Sequence, residues 1–295
     1  MKVRRPTGAD LPAVTELIRT FEAALLGEPE QSEEDLATEW ADLDLSRDAW
    51  LVELDGALAG YAALHTAGPP LADGYVHPAF RARGVGARLV DLVETEARVR
   101  ELGVLQNAVL GADEPAQDLL RARGYREARR YYRMVIDLDE QPAPPEWPER
   151  LAAGPVGDHD RAQFHAALDE SFAEEWGHEP SRGIDWTRIR EHRHPDRSLW
   201  LAVKDGEEIA AAAVADEERA GAGWIAAIGV RKPWRRRGIG HALLLQCFGE
   251  LYSRGTRRIA LGVDSQNPTG ATRLYERAGM RVAYSVVFFE KELAA

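Results

Sequence analysis

Apolar residues recur along this chain in both helical and strand periods, and the main patterns are written twice. After Gly240 they fall at Leu243, Leu244, Cys247, Phe248 and Leu251, with a stop at Gly255. That is helical spacing closed by a glycine. After Gly86 the run Leu89, Val90, Val93 and Ala97 ends before Gly103 and predicts an equivalent helix. Further upstream, Trp50-Leu51-Val52-Glu53-Leu54-Asp55-Gly56 matches Trp200-Leu201-Ala202-Val203-Lys204-Asp205-Gly206. In both, Asp-Gly joins two apolar runs, which predicts a hairpin.

The two predicted helices open on one motif. Arg81-Ala82-Arg83-Gly84-Val85-Gly86 and Arg235-Arg236-Arg237-Gly238-Ile239-Gly240 both read Arg-x-x-Gly-x-Gly, 154 residues apart. Each follows a valine and an aromatic: Val76 and Phe80, Val230 and Trp234. The hairpins repeat at an offset of 150, and the segments ending in Gly124-Tyr125 and Gly279-Met280 at 155. Three anchors in one order at nearly constant spacing predict two copies of one domain. Between them, the run from Glu140 to Pro148 carries Pro142, Pro144, Pro145 and Pro148 and reads as a stiff linker. The expected division is 1–139, linker 140–148, and 149–295.

A glycine-rich turn from a strand into a helix is an anion site. The first-turn N–H groups lack partners inside the helix, and glycine lets a phosphate approach closely. In the second copy Arg231, Lys232, Arg235, Arg236 and Arg237 add positive charge. A basic run alone would also suit nucleic acid. The glycines and a formal net charge of −12 favour a small phosphate-bearing ligand instead. No apolar stretch approaches a membrane span, and the charged opening Met1-Lys2-Val3-Arg4 does not read as a signal peptide. A cytoplasmic protein is expected, without a membrane or nucleic-acid partner and as a monomer or homodimer. The single cysteine, Cys247, falls on an apolar helix stripe and reads as a buried thiol, not a nucleophile. No metal site is expected.

These residues resemble the GNAT superfamily of acyl-CoA-dependent N-acyltransferases. The match is to its pyrophosphate loop after the fourth strand and to a second signature, here Val263-Asp264-Ser265-Gln266-Asn267-Pro268-Thr269-Gly270-Ala271-Thr272-Arg273-Leu274-Tyr275 and onward to Met280. The resemblance covers both halves and is closest to the tandem members, a group that includes mycothiol synthase. It implies an α/β (α+β) fold of two tandem domains, each a mixed, mostly antiparallel sheet flanked by helices. In the second half it implies hairpin strands over 199–203 and 208–214, the fourth strand over 224–230 and the fifth over 258–263. A helix opened by Asn267 and Pro268, and a last strand over 285–290, complete that half.

The resemblance also implies chemistry: direct attack of an amine on the thioester of acetyl-CoA. It places the cofactor on Ile228, Gly229 and Val230, on Arg235, Arg236, Arg237, Gly238, Ile239, Gly240 and His241, and on Asn267. Tyr275 matches the family's acid for the departing thiolate. A thiol ionises at about 8.5 and tyrosine at about 10, so full proton transfer is uphill by about 2 kcal/mol. A hydrogen bond alone is therefore a sufficient role. The other reading of Tyr275 is a core tyrosine, with Leu274 beside it able to serve the core. The acceptor is expected near the acids and aromatics of 169–179, including Asp169, Glu170, Phe172, Glu174, Glu175 and Trp176, which suit a small cationic amine. A solvated acidic helix face would look the same. Glu175, His178 or a carboxylate acting through water could be the base. In the first half Val76, Arg81, Arg83, Gly84, Val85 and Gly86 retain the loop, but Ala112 and Leu120 stand where Asn267 and Tyr275 stand in the second. The first domain is expected to have lost catalysis. Its loop is either a retained CoA site or only a strand-to-helix turn. Three readings follow: an N-acetyltransferase acting through its second domain, an acyl-CoA sensor or scaffold, and, more narrowly, a mycothiol-synthase-like enzyme.

Overall fold

A computed structural model describes residues 1–148, 151–176, 185–194, 196–219 and 222–293. The chain forms two compact units. Unit 1 is Met1–Tyr131 together with the C-terminal segment from Tyr284, and unit 2 is Tyr132–Ala283.

Unit 1 runs β1 (Lys2–Arg4), α1 (Leu11–Leu26), α2 (Glu33–Ala41), α3 (Leu45–Asp48), β2 (Ala49–Leu54), β3 (Ala57–His65), β4 (Leu71–Val76), α4 (Val85–Val99), β5 (Val104–Leu110), α5 (Glu114–Ala122) and the start of β6 (Arg126–Asp137). Strands β1 to β4 pair antiparallel in sequence order, with Val3 opposite Val52, Leu51 opposite Tyr61 and Tyr61 opposite Tyr75. β4 and β5 pair parallel only at Leu71–Gln106 and Ala72–Asn107 and then part. A cavity of about 80 Å³ opens in this unit, lined by Val76, Gly86, Leu89, Asn107 and Leu120 among others.

Unit 2 repeats the order: the end of β6, β7 (Ala153–Pro155), α6 (Arg161–Phe172), α7 (Trp186–Arg193), β8 (Trp200–Asp205), β9 (Glu208–Arg219), β10 (Ala222–Val230), α8 (Ile239–Ser253), β11 (Arg258–Asp264), α9 (Ala271–Arg277) and the start of β12 (Arg281–Glu292). β7 to β10 are antiparallel neighbours. β10 and β11 pair parallel at Gly223–Ile259, Trp224–Ala260 and Ile225–Leu261, and no further. The sheet of each unit is therefore mixed and mostly antiparallel, with helices packed on it, as the sequence predicts.

The last strands are exchanged. From Tyr284 onward β12 pairs antiparallel with β5 of unit 1, Val287 opposite Val109 and Phe289 opposite Asn107. The alternation turns Val287 and Phe289, both 0% exposed, into the core formed by Val52, Leu64, Leu89 and Leu105. Conversely β6 lies beside β11, and Met134 and Leu138 enter the core of unit 2. The proline-rich stretch 140–148 is neither helix nor strand, and its Trp147 packs on that same core.

The helix expected to open at Asn267 and Pro268 starts later. α9 begins at Ala271, after Gly270 in the left-handed region at φ 78°, and not at Pro268. The Asn267 side chain accepts from the N–H of Thr269, two residues on (2.9 Å), so it builds a turn ahead of the helix and does not cap it.

Candidate active site in the second unit

The glycine loop has the same backbone in both units. Ala82 and Arg236 take positive φ, 58° and 64°, and so do Gly84 and Gly238, 80° and 85°. These turns bring the chain from β4 into α4 and from β10 into α8, with Gly84 and Gly238 as the N-cap residues. The second glycine has a different reason. A Cβ on Gly240 would stand 3.1 Å from Leu274 and 3.4 Å from Val230; on Gly86, 3.3 Å from Leu119 and 3.6 Å from Val76. The missing side chain lets strand, loop helix and following helix close on one another. Ile239 and Val85 are buried under these turns.

The loop arginines divide by task. The Arg235 guanidinium donates to the Val230 carbonyl (3.0 Å), the Ser171 carbonyl (3.3 Å) and Glu174 (2.9 Å). It ties the end of β10 to the end of α6. Arg236 and Arg237 are exposed, and Arg237 donates to the Pro233 carbonyl (3.2 Å). The N–H of His241 turns back to the Gly238 carbonyl (3.1 Å). In unit 1, Arg81 lies 3.7 Å from Asp113 and over the Phe21 ring, while Arg83 pairs with Asp55 (2.6 Å). The aspartate of each Asp-Gly hairpin holds its loop by a different donor, since Asp205 accepts from Trp234 Nε1 (2.8 Å).

β10 and β11 part after Ile225, so β11 does not pair with Ala226, Ala227, Ile228, Gly229 or Val230. The opposite edge of β10 is filled by β9, with Ile228 opposite Ala213 and Val230 opposite Ala211. An unpaired strand edge that ends beside a helix N-terminus suits a ligand with amides at one end and phosphates at the other. These residues therefore fit acetyl-CoA. Gly229 is also fixed from behind, because a Cβ there would lie 2.5 Å from Ser171 Cβ on α6. Neither Ser171 nor Thr269 carries a signal in the sequence that marks it as part of the site.

Most of the acids near the loop are already paired. Asp169 accepts from Arg190 (2.7 Å), Glu170 from Arg231 (2.6 Å), and Glu174 from Arg235 and Lys232. Arg235 holds the Glu174 carboxyl below its ordinary range. Glu175 differs, since its hydrogen-bond partner is the neutral amide of Asn267, at 2.7 Å. Burial pushes the Glu175 carboxyl up to about 7, opposed by that amide and aided by Asp264. His178 lies outside the described residues.

Tyr275 is 7% exposed, with its ring in the core cluster that includes Leu243, Cys247 and Val263. Leu274, its neighbour, is only half-buried and packs against Gly240. Burial, then the nearby Glu175 charge, raise the Tyr275 hydroxyl well above its ordinary value, so it stays protonated. Proton transfer to a thiolate is then more uphill than for a free phenol, which leaves hydrogen-bond donation as its chemistry. Burial likewise pushes the Cys247 thiol up to about 12, which leaves no thiolate for a covalent step.

Comparison with known proteins shows the family and the fold. The profile of the Acetyltransferase (GNAT) family matches residues 12–125 and 161–280. Mycothiol acetyltransferase of Thermobispora bispora is 32% identical over 246 residues, which cover 78% of this chain and 79% of that protein. The crystal structure of a GCN5-related N-acetyltransferase from Sphaerobacter thermophilus superposes with a TM-score of 0.86 at 36% identity, covering 99% of this chain and 95% of that one. A tandem GNAT protein from the clavulanic acid biosynthesis pathway shares the fold, with a TM-score of 0.73 at 16% identity over 100% of this chain and 99% of its own. Among the described residues no helix is long and apolar enough to cross a membrane. The chain belongs to the acetyltransferase (GNAT) family, carries its domain twice, and is an acyl-CoA N-acetyltransferase.

Proposed function

We propose that unit 2 transfers the acetyl group of acetyl-CoA directly to a small amine, with Glu175 as proton acceptor and Tyr275 as donor to the departing sulfur. The observation that carries this reading is a contrast within the chain. Glu175, Asn267 and Tyr275 converge in unit 2. At the offsets of 150 and 155 unit 1 has Leu25, Ala112 and Leu120. The glycine loop is present in both units, and these three side chains in only one.

The roles follow from the chemistry of each side chain. An amine attacks the thioester carbonyl through its lone pair, so an incoming ammonium must first shed a proton. A carboxyl that titrates near neutrality can take it, whereas Glu174, held low by Arg235, is a weak base. The β10 edge at Ile228 to Val230 offers N–H groups to the carbonyl oxygen as charge develops there. The N-terminus of α8, with Arg236 and Arg237, holds the phosphates. Tyr275 donates to the sulfur as it leaves. The buried Cys247 supports direct transfer over an acyl-enzyme.

The relatives named mycothiol acetyltransferase favour a narrower reading, in which the chain acetylates the acceptor of those enzymes. The test is CoA release from acetyl-CoA with a panel of primary amines that includes the acceptor of those enzymes. Glu175→Gln and Tyr275→Phe are expected to lower turnover, and Gly84→Val to leave it. Loss of turnover from the unit 1 change, with Glu175→Gln at the wild-type rate, would overturn the assignment to unit 2.

A further inference from the structure

Glu175 lies past the end of α6, in a turn closed by its own N–H to the Phe172 carbonyl (2.8 Å). A glutamate there has three side-chain torsions to settle. Its partner, Asn267, comes from the other side of the site, on the loop between β11 and α9.

That loop is tightly framed. Asp264, 3% exposed, accepts from the N–H of Gln266 (2.8 Å), and the N–H of Asn267 donates to the Asp264 carbonyl (3.0 Å). The Asn267 side-chain oxygen accepts twice from Thr269, from its N–H (2.9 Å) and its hydroxyl (2.5 Å). An amide oxygen has two lone pairs, and both are engaged. Flipping the amide would set its NH₂ against the Thr269 N–H, which can only donate, and its oxygen against the Glu175 carboxylate. The Asn267 nitrogen therefore faces Glu175 as a donor in one orientation.

We infer that Asn267 is a positioning residue: its amide, locked by Thr269, holds the Glu175 carboxylate in place as proton acceptor, an inference that rests on the role of Glu175 proposed above. The family resemblance gave this asparagine to the cofactor; here its donor is engaged with a carboxylate instead. Among the described residues the groups facing Glu175 are few. Asp264 from β11 disfavours its ionised form. Tyr275 from α9 is uncharged, and Glu174, Lys232 and Arg235 are bound to one another. Among the described residues, the Asn267 amide is thus the contact that favours the carboxylate.

The test compares Asn267→Ala, Asn267→Asp and Glu175→Gln in the full chain. It reads the pH profile of kcat/KM, the Kd of acetyl-CoA, and the titration of the Glu175 carboxyl by 13C NMR, assigned by difference from Glu175→Gln. Removing a hydrogen bond to the charged form raises a carboxyl's pKa, and a facing carboxylate raises it more. Asn267→Ala is expected to move both the acidic limb and the NMR midpoint upward by about half a unit to one unit, and Asn267→Asp by more than about one unit. The Kd should stay within about two-fold, since the phosphate contacts are elsewhere. Asn267→Asp keeps the oxygen that Thr269 binds, so it guards against collapse of the loop. An unmoved midpoint, or weakened acetyl-CoA binding with an unmoved limb, would overturn the positioning role while leaving Glu175 as base. A Glu175→Gln enzyme with the wild-type rate and limb would overturn the base itself, and the positioning role with it.

Discussion

Ser171 leaves no room for a side chain at Gly229. A Cβ there would stand 2.5 Å from Ser171 Cβ and 2.9 Å from its hydroxyl, which is itself bound to the Ala167 carbonyl (2.7 Å). The contact sets the distance between β10, which borders the cofactor edge, and α6, which leads into Glu175. Gly229→Ala should therefore push α6 outward, costing about 1–3 kcal/mol of stability and lowering kcat, because the base moves with the helix. The double variant Gly229→Ala with Ser171→Gly should regain most of both. Thermal denaturation and steady-state kinetics check this; a double variant no better than the single one would mean that the glycine serves the ligand and not the helix.

The two glycines of the loop should fail differently. A Cβ on Gly238 would meet nothing within 4 Å, but the φ of 85° penalises any other residue there. Gly238→Ala should cost about 1–2 kcal/mol through the backbone and weaken acetyl-CoA binding. Gly240→Val would press on Leu274 and Val230, and should weaken binding further by prising α9 from α8. Gly84→Val and Gly86→Val disturb only unit 1 and should leave most turnover intact. Calorimetric titration with acetyl-CoA and kcat on the four variants decide it. Equal losses from both pairs, with folding preserved, would make unit 1 necessary for catalysis.

Glu175 ties activity to pH in two opposite senses. As proton acceptor it must be ionised, so kcat/KM should rise through about 7 and level off above it. The stability term runs the other way. The folded state keeps the proton from the ordinary 4.5 up to about 7, so this contribution is complete below 4.5 and lost as pH rises through about 7. Glu175→Gln should thus be more heat-stable than the wild type at pH 8, by about 1–2 kcal/mol once partial exposure is allowed for, and no more stable at pH 4.5. The same variant should lose about 10²–10⁴ in kcat. A Tm difference that is independent of pH would show that the carboxyl is not held in its neutral form by burial.

The sequence carried the fold because its signals are local. Asp-Gly at 55–56 and 205–206, the two glycine loops and the apolar stripe from Leu243 to Leu251 all sit within one element or one turn. The exchange of last strands was not legible. Val287 and Phe289 alternate as any half-buried strand does, and nothing in that alternation says whose core they enter. The site was legible by residue and not by relation. Glu175, Asn267 and Tyr275 each drew attention, but the 2.7 Å bond between the first two joins residues 92 positions apart. Arg235 read as a phosphate ligand, and its contacts to Val230 of β10, Ser171 of α6 and Glu174 beyond it could not be seen in an Arg-x-x-Gly-x-Gly string. The acidic run 169–175 likewise hid which carboxyl meets a neutral amide.

Tyr275→Phe separates the hydroxyl from the ring. The ring is buried among Leu243, Cys247 and Val263, and phenylalanine keeps that packing, so stability should change little. Acetyl-CoA affinity should also hold, because the hydroxyl acts on the leaving sulfur and not on the bound thioester. Turnover should fall by about 10–10³. The lower bound is modest because burial holds the phenol well above a thiol, so a hydrogen bond, not proton transfer, is what is lost. A weaker base needs that bond less. The loss should therefore shrink with an acyl donor whose thiol is more acidic than that of CoA. Single-turnover rates with two such donors measure this. If Tyr275→Phe acetylates a good acceptor at the wild-type rate while chemistry is limiting, Tyr275 is a packing residue only, and the departing thiolate in unit 2 must find its donor elsewhere.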